Sequence, residues 1–510
     1  MGRGRVVWLA ALAAFVARFP GLLWPLRPDE AGFLLVARGW RPEPDSLYGP
    51  TFVDRPPPII WLMQASDALG GAYAHRLVGA LCCSLLVLAA AAATRELAAR
   101  AGVVDPADVR RLAGWVAVAT AALVSNAEID PVAAKGELFG IPLVLASCWL
   151  SLRAVRRASA GDAAWAGGLA VLAVGFKQSI LGGIVFGVVL LVGTALARHR
   201  PWRTVARFGV AAVLGGLVPV VLVVGWALAA GVRLRTLWYA SVSFRSDASR
   251  IIASQDSSGA QSRIGTLLAV FVGIGMLGVV VWLLVRLRGL VRLDAVATVA
   301  VATMLAADLA GVAVSGSYWT PYLFVPIPPV ALALALLVTH ERLRPVRLRV
   351  ARPALVLLVG SSVVSLAVWT VTWVHGRVPV EVRTGEAIAA AAAPGDRVLV
   401  YGGRADIQWA TGRTSPYPYL WSLPMRTLDP GLTDLERVLT GPDSPAWFVE
   451  ATYINTWSEL GTRPIEYSLI RKYQFIRTAC DRYRIYHLNS VDPVDVDVDC
   501  STPYRTIWGR

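Results

Sequence analysis

The chain has 510 residues, 56% of them hydrophobic and only 16% charged, with a mean hydropathy of +0.56. That apolar content exceeds what a water-soluble globular protein carries and excludes a purely soluble enzyme. The formal net charge of +15 would suit nucleic acid, but such binding needs the basic groups gathered on one soluble face, and here they sit between apolar runs.

Runs long enough to cross about 30 Å of hydrocarbon, roughly 20 residues as a helix, recur over residues 6–376 and then stop. They predict an all-α polytopic membrane bundle over 1–376 followed by a water-facing α/β domain over 377–510. About eleven spans are expected, near 6–24, 74–94, 112–126, 138–152, 164–176, 179–197, 208–230, 264–285, 294–313, 322–340 and 354–376. The short segments 1–5, 95–111, 153–163, 198–207, 286–293 and 341–352 hold about 21 arginines, against about 11 Arg and Lys in the longer alternate connections. This positive-inside pattern sets the N-terminus in the cytoplasm and the C-terminal domain outside a plasma membrane. Residues 1–24 do not read as a cleaved signal, because no A-x-A-like site follows the apolar stretch Val6–Val16 before Arg18-Phe19-Pro20, and the stretch runs on as Gly21-Leu22-Leu23-Trp24.

The first outer loop, 25–73, is long and carries the clearest chemistry. It opens on Arg27-Pro28-Asp29-Glu30-Ala31, two adjacent carboxylates at a membrane boundary, which need water, a cation or a basic partner. A catalytic base fits there, and so does a solvated turn after Pro28. Later comes Asp54-Arg55-Pro56-Pro57-Pro58, where three prolines pin the backbone and a fixed guanidinium suits capture of a phosphate. A rigid linker with solvated charges explains the same residues. Pro57 to Gly70 then reads as an apolar-faced segment along the membrane surface, and Arg18 is expected to snorkel or to pair with Asp29.

In the loop 127–137, Glu128 and Asp130 suit either a divalent cation, Mg²⁺ or Mn²⁺, or the ordinary charges of a connection. Residues 165–197 break at Lys177-Gln178 into two helices, which restores the alternation of charged loops; Lys177 there either snorkels or serves a site. Gly273-Ile274-Gly275-Met276-Leu277-Gly278 matches G-x-G-x-x-G, but inside an apolar span it indicates close helix packing. Asp308 is an acid deep in a span, either functional or hydrogen-bonded within the packing. The five histidines show no metal-ligand spacing.

In the tail, Glu381–Ala393 and Gly431–Leu439 are helix candidates, and Arg397–Tyr401, Ala446–Val449 and Arg484–Leu488 are strand candidates. Tyr417, Tyr419 and Trp421 near Arg413 suit either stacking on a sugar or packing. Asp492, Asp495, Asp497 and Asp499 alternate with Val as a solvated strand or tail rather than a calcium site. Cys480 and Cys500 lie in the part placed outside, where they either pair as a disulfide or stay free.

Together these residues resemble the polyprenyl-phosphate-sugar glycosyltransferases of the GT-C fold, which include bacterial aminoarabinose transferases and protein O-mannosyltransferases. Members begin with one span, carry an Asp-Glu pair early in the first outer loop, and later have a basic residue before Pro-Pro and apolar residues. Asp29-Glu30 and Arg55-Pro56-Pro57 with Ile59-Ile60-Trp61-Leu62 answer both parts. The resemblance implies that Asp29, with Glu30 beside it, is the catalytic carboxylate, and that Arg55 and Lys177 contact the lipid phosphate. The family's usual residue at the place of Arg55 is Lys or sometimes His. It further implies that Glu128 and Asp130 are acidic residues of the second loop, toward substrate or metal, and that Asp54, Tyr318 and Tyr322 contact substrate. The donor would be a polyprenyl-phosphate-linked sugar, and the acceptor an envelope glycan, lipid or protein. A secondary transporter or flippase for an anionic lipid or solute, using Asp308 and Lys177, is the alternative.

Overall fold

The computed structural model describes residues 4–254, 258–344, 349–374, 378–457, 461–489 and 495–500. Among them, seven helices are long and apolar enough to cross a membrane: Arg5–Leu22, Pro57–Arg100, Gly136–Arg157, Trp202–Ala229, Met276–Ala313, Thr320–Leu343 and Ala351–Thr372. Pro106–Val124 and the shorter apolar helices Ala160–Phe176 and Gly182–Leu196 pack among these. All the apolar runs read from the sequence fall on helices, but two boundaries differ. Gly275, at φ +83°, turns the chain inside the run expected as one span over 264–285, and Met276–Ala313 bends at Asp294, which pairs with Arg100 at 2.8 Å. Of the motif's glycines only Gly275 packs closely, a Cβ there lying 2.9 Å from Leu358; Gly273 and Gly278 face open space, although Ser361 donates to the Gly273 carbonyl at 2.9 Å.

Small residues let helices touch by their backbones, which matters where lipid removes the usual hydrophobic drive to associate. A Cβ on Gly167 would sit 1.9 Å from the Ala212 carbonyl oxygen, and one on Gly215 equally close to that of Ala164, so Ala160–Phe176 and Trp202–Ala229 cross in direct contact. The expected break near Lys177 is present: Ala160–Phe176 ends there with Lys177 extended, and the next helix begins at Gly182.

The first loop is ordered around two helices. Pro28–Arg38 follows an extended Arg27, with proline at its start, where a missing N–H costs nothing. Pro57–Arg100 is interrupted at Gly70 and Gly71, both at positive φ, which separates the segment 57–69 from the span that follows. The expected apolar-faced segment is therefore a helix of its own, burying Ile59, Ile60 and Met63.

The C-terminal domain carries one four-stranded sheet in the order β1-β2-β4-β3, with β1 Val398–Tyr401, β2 Trp447–Glu450, β3 Tyr473–Ala479 and β4 Tyr483–Leu488. β1 and β2 are parallel and the other pairs antiparallel. β3 and the helices Ala405–Ala410, Ser422–Leu428 and Thr462–Lys472 are additions to the sequence reading. β3 was hidden because its exposed and half-buried residues give no clean alternation. Cys480 and Cys500 form a disulfide. Val496 and Val498 point inward while Asp495, Asp497 and Asp499 face out, and Asp492 lies outside the described residues.

This domain is fastened to the first loop. Phe52 donates its N–H to the Pro418 carbonyl at 2.9 Å, the Arg38 guanidinium lies 4.1 Å over the Trp409 ring, and Ala405–Ala410 packs on Pro28–Arg38. The carboxyl ends of β1 and β2 lead into the loops nearest that junction.

Candidate active site

The adjacent carboxylates at the start of Pro28–Arg38 have different surroundings. Glu30 is fully buried; Arg76 binds it through Nε at 3.1 Å and Nη2 at 2.8 Å, and the N–H groups of Arg27 and Ala134 donate to it at 3.2 and 3.1 Å. Arg76 also donates to the carbonyls of Gly21, Leu22, Trp24 and Pro25. Glu30 thus locks the end of the first span to the second loop, and the catalytic place expected for it beside Asp29 gives way to this structural one. Burial would raise its carboxyl, but Arg76, His75 and the Ala134 N–H outweigh that and hold it at about 2.

Asp29 keeps 39% of its side chain exposed. Its Oδ2 meets the Lys135 ammonium at 2.9 Å and its Oδ1 accepts from Trp421 Nε1 at 3.1 Å. Burial raises this carboxyl, and Lys135, Arg55 and Trp421 together bring it down to about 2, so it is ionised at neutral pH. One lone pair on each oxygen remains for a substrate. Trp421 can approach because residue 32 is glycine; a Cβ there would stand 2.3 Å from its ring.

Around Asp29 the charges alternate. Asp54 bridges Arg55 at 2.8 Å and Arg245 at 2.9 Å, Lys177 pairs with Glu137, and the Lys177 ammonium lies 3.9 Å over the Tyr322 ring. Burial lowers Arg55, but Asp54, Asp29 and Glu137 raise it above its ordinary value; Lys135 is likewise raised by Asp29, Asp130 and Glu137. Proline-pinned backbone aims Arg55 as the sequence suggested, helped by Tyr48, whose hydroxyl donates to the Arg55 carbonyl at 2.6 Å. Arg245 follows a π-helical turn at Tyr239–Ser243, a local irregularity of a kind that often sits at functional sites.

Four cations, Arg55, Lys135, Lys177 and Arg245, therefore form direct ion pairs with three carboxylates, Asp29, Asp54 and Glu137, with Asp54 shared by two arginines and Asp130 acting on Lys135 from farther off. Arg263, stacked 4.5 Å over Trp319 and acting on Tyr322, stands just beyond. The structure brings together the expected Asp29, Asp54, Arg55, Lys177 and Tyr322. Tyr318 packs against the bundle core with φ +53°.

Asp130 spends one carboxylate oxygen on the Val132 and Ala133 N–H groups, at 3.0 and 2.8 Å. Arg18 does not reach Asp29; it donates to the carbonyls of Val132 and Ala133 at 3.0 and 2.9 Å, and to that of Asp130. Lys135 sits on Asp29, and among the described residues there is no group of three or more His, Cys, Asp or Glu that could hold a metal ion. Asp308 is buried against Gly182, where a Cβ would lie 2.9 Å from its Oδ2, while Lys177 has Glu137 as its partner.

Sequence reasoning missed Lys135, Arg245 and Arg76, and it placed Trp421 in the tail without its bond to Asp29. One signal was available for Lys135: the chain has only three lysines, at 135, 177 and 472, and two of them belong to this cluster. A compact ammonium and a planar guanidinium are not interchangeable, so a lysine kept in so arginine-rich a chain marks a place that uses the difference.

A helical membrane bundle whose first loop presents carboxylates and cations beneath a C-terminal α/β domain is the GT-C architecture. The comparison with solved structures agrees: ArnT from Cupriavidus metallidurans bound to undecaprenyl phosphate superposes with a TM-score of 0.63 at 14% identity, covering 96% of this chain and 98% of that one. The Archaeoglobus fulgidus oligosaccharyltransferase in its apo form gives 0.56 at 12% identity, over 96% and 75% of the two chains. AglB from Archaeoglobus fulgidus with an inhibitory peptide and a dolichol-phosphate gives 0.54 at 12%, over 96% and 74%. These likenesses establish the GT-C fold. No protein-family model matches the sequence, and the search of curated proteins finds no match.

Proposed function

We propose that the protein is a membrane glycosyltransferase that moves a sugar from a polyprenyl-phosphate donor to an envelope acceptor on the outer face of the plasma membrane. The observation that carries this is the cluster of four cations around an ionised Asp29, in which two arginines share the single carboxylate of Asp54. A sugar phosphodiester carries one negative charge, which the two arginines that share one carboxylate can take up.

The reaction keeps the balance. The bond from the anomeric carbon to the phosphate oxygen breaks, and its electron pair leaves a lipid monophosphate with a second negative charge. The acceptor oxygen bonds to the anomeric carbon and, becoming acidic as it does so, gives its proton to Asp29. Protonated Asp29 raises the cluster's net charge by one as the phosphate gains its second negative charge. Arg55, Arg245 and Lys177 stabilise the leaving group, and Asp29 orients and deprotonates the acceptor. The outer placement rests on the arginine asymmetry of the connections. Two neighbours of the same fold have undecaprenyl phosphate and dolichol-phosphate bound, which supports the donor class.

Asp29→Asn tests the proposal in protein supplied with lipid-phosphate sugar and envelope extract. Transfer should fall about 10²- to 10⁴-fold, the usual worth of a general base, with expression and thermal stability unchanged. Full activity in that variant removes Asp29 from the role.

A further inference from the structure

Away from the charge cluster, the C-terminal domain carries an open cleft of about 310 Å³ lined by Glu450, Tyr453, Asn455, Glu466, Arg484 and Tyr486 over an aliphatic floor. We propose that this cleft docks a neutral saccharide and so holds a glycan acceptor on the domain whose Trp421 reaches the transfer centre. The assignment of that saccharide as acceptor rests on the transferase reading; the binding itself does not.

The walls carry the chemistry that recognises sugars. Sugar rings present a C–H face that packs on aromatic side chains and an equatorial belt of hydroxyls that pairs with planar carboxylate, amide and guanidinium groups. Tyr453 is 56% exposed, and the Arg484 guanidinium, 4.6 Å over its ring, fixes the aromatic face. Tyr486 supplies a second ring, 5.5 Å from the exposed Phe475. Glu450, only 5% exposed, accepts from the Ile454 N–H at 2.9 Å through Oε1, whereas its Oε2 has only the long contacts of 3.4 Å to Arg484 and 3.5 Å to Tyr486. That oxygen is buried, rigid and left with acceptor capacity for a hydroxyl.

Other ligands fit less well. Two glutamates against one arginine repel phosphate and other anions. Strand addition by a peptide needs an open sheet edge, and β2 and β4, which furnish Glu450, Arg484 and Tyr486, are the two internal strands. The volume lies at the small end of ligand pockets, roughly 300–1,000 Å³, and suits one or two sugar rings.

Position ties the cleft to the reaction. The loop after β2 that forms its wall packs on the loop after β1, a Cβ on Gly402 lying 2.7 Å from the Thr452 backbone nitrogen. The next residue, Gly403, packs equally closely on Ser422, whose neighbour Trp421 donates to Asp29. The cleft and the Trp421 contact to the catalytic carboxylate are thus carried by loops packed directly on one another.

The test uses the full chain in lipid nanodiscs, free of sugar detergents, titrated with maltotriose, mannotriose and galactotriose by saturation-transfer NMR. At least one should bind saturably; Tyr453→Ala and Asn455→Ala should each weaken it about tenfold, and Tyr453→Trp should preserve it. No saturable binding by any of the trioses, or equal binding by Tyr453→Ala, overturns the proposal. Asp29→Asn should bind the triose as the wild type does. If it also retains transfer, the transferase reading fails while the docking site stands; Asp29-dependent transfer without triose binding defeats the docking site alone.

Discussion

Two groups of ion pairs meet at the first turn of Pro28–Arg38, and they are built differently. Under it, Glu30 and Arg76 are almost wholly buried, matched one to one, with both oxygens of the acid engaged. In front of it, Asp29 belongs to a cluster in which two arginines share one carboxylate, and its own side chain is 39% open. A matched, closed pair holds the chain in place and has no capacity left for a ligand. An unmatched, open cluster calls for an anion from outside. Neighbouring acids of the same chemical type are thus divided between architecture and chemistry by what surrounds them.

The comparison can be broken most forcefully at the closed pair. Glu30→Gln leaves Arg76 buried and uncompensated, so stability should fall by about 3–5 kcal/mol, read by thermal denaturation. The sign with pH follows from the acid being held at about 2, below its unfolded value of about 4.3. The stabilisation is complete above the unfolded value and is lost as pH falls toward the folded one. Wild type and variant should therefore differ fully at pH 7 and converge as pH drops from about 4.3 toward 2. A large activity loss in Glu30→Gln with unchanged stability would give Glu30 the role assigned here to Asp29.

A smaller effect separates both groups from the C-terminal domain's own strap. Cys480 and Cys500 close a loop of sequence separation 20, so Cys480→Ser should cost about 3 kcal/mol of that domain's stability, seen as earlier loss of its protease resistance. Charge-cluster variants should leave that resistance unchanged. Smaller still, Gly32→Ala places a methyl group against Trp421 and should cost about tenfold in transfer by disturbing its bond to Asp29. In a Trp421→Phe background the same substitution should add little, since that bond is already gone.

Much of the open cluster was legible in the sequence, and little of the closed pair. Asp29, Asp54 and Arg55 share one loop, where a proline run and a membrane boundary mark them locally. Lys177 stood out as a charge at a helix break. Arg76, Lys135, Arg245 and Trp421 come from other segments, and only folding brings them to the loop; a lone Arg in a span or Trp in a tail has no local signature of its partner. The same reason separates Asp29 from Glu30, which are indistinguishable until Ala134 and Arg76 close on one of them. For the fold, apolar periodicity gave the helices and the later domain, while the turn at Gly275 escaped because glycine inside an apolar run also serves packing. β3 escaped because Phe475 breaks its alternation by facing out.

The central claim, that the open cluster receives a lipid phosphate, is tested most directly by affinity. Undecaprenyl phosphate and the uncharged alcohol undecaprenol would be titrated into wild type, Arg245→Gln and Lys177→Met in nanodiscs. The account predicts that wild type binds the phosphate about a hundredfold more tightly than the alcohol, and that each substitution removes about tenfold of that preference, in line with charge-assisted hydrogen bonds worth about 1.5–3 kcal/mol. Equal affinity for the two lipids, or a preference untouched by both substitutions, would contradict it.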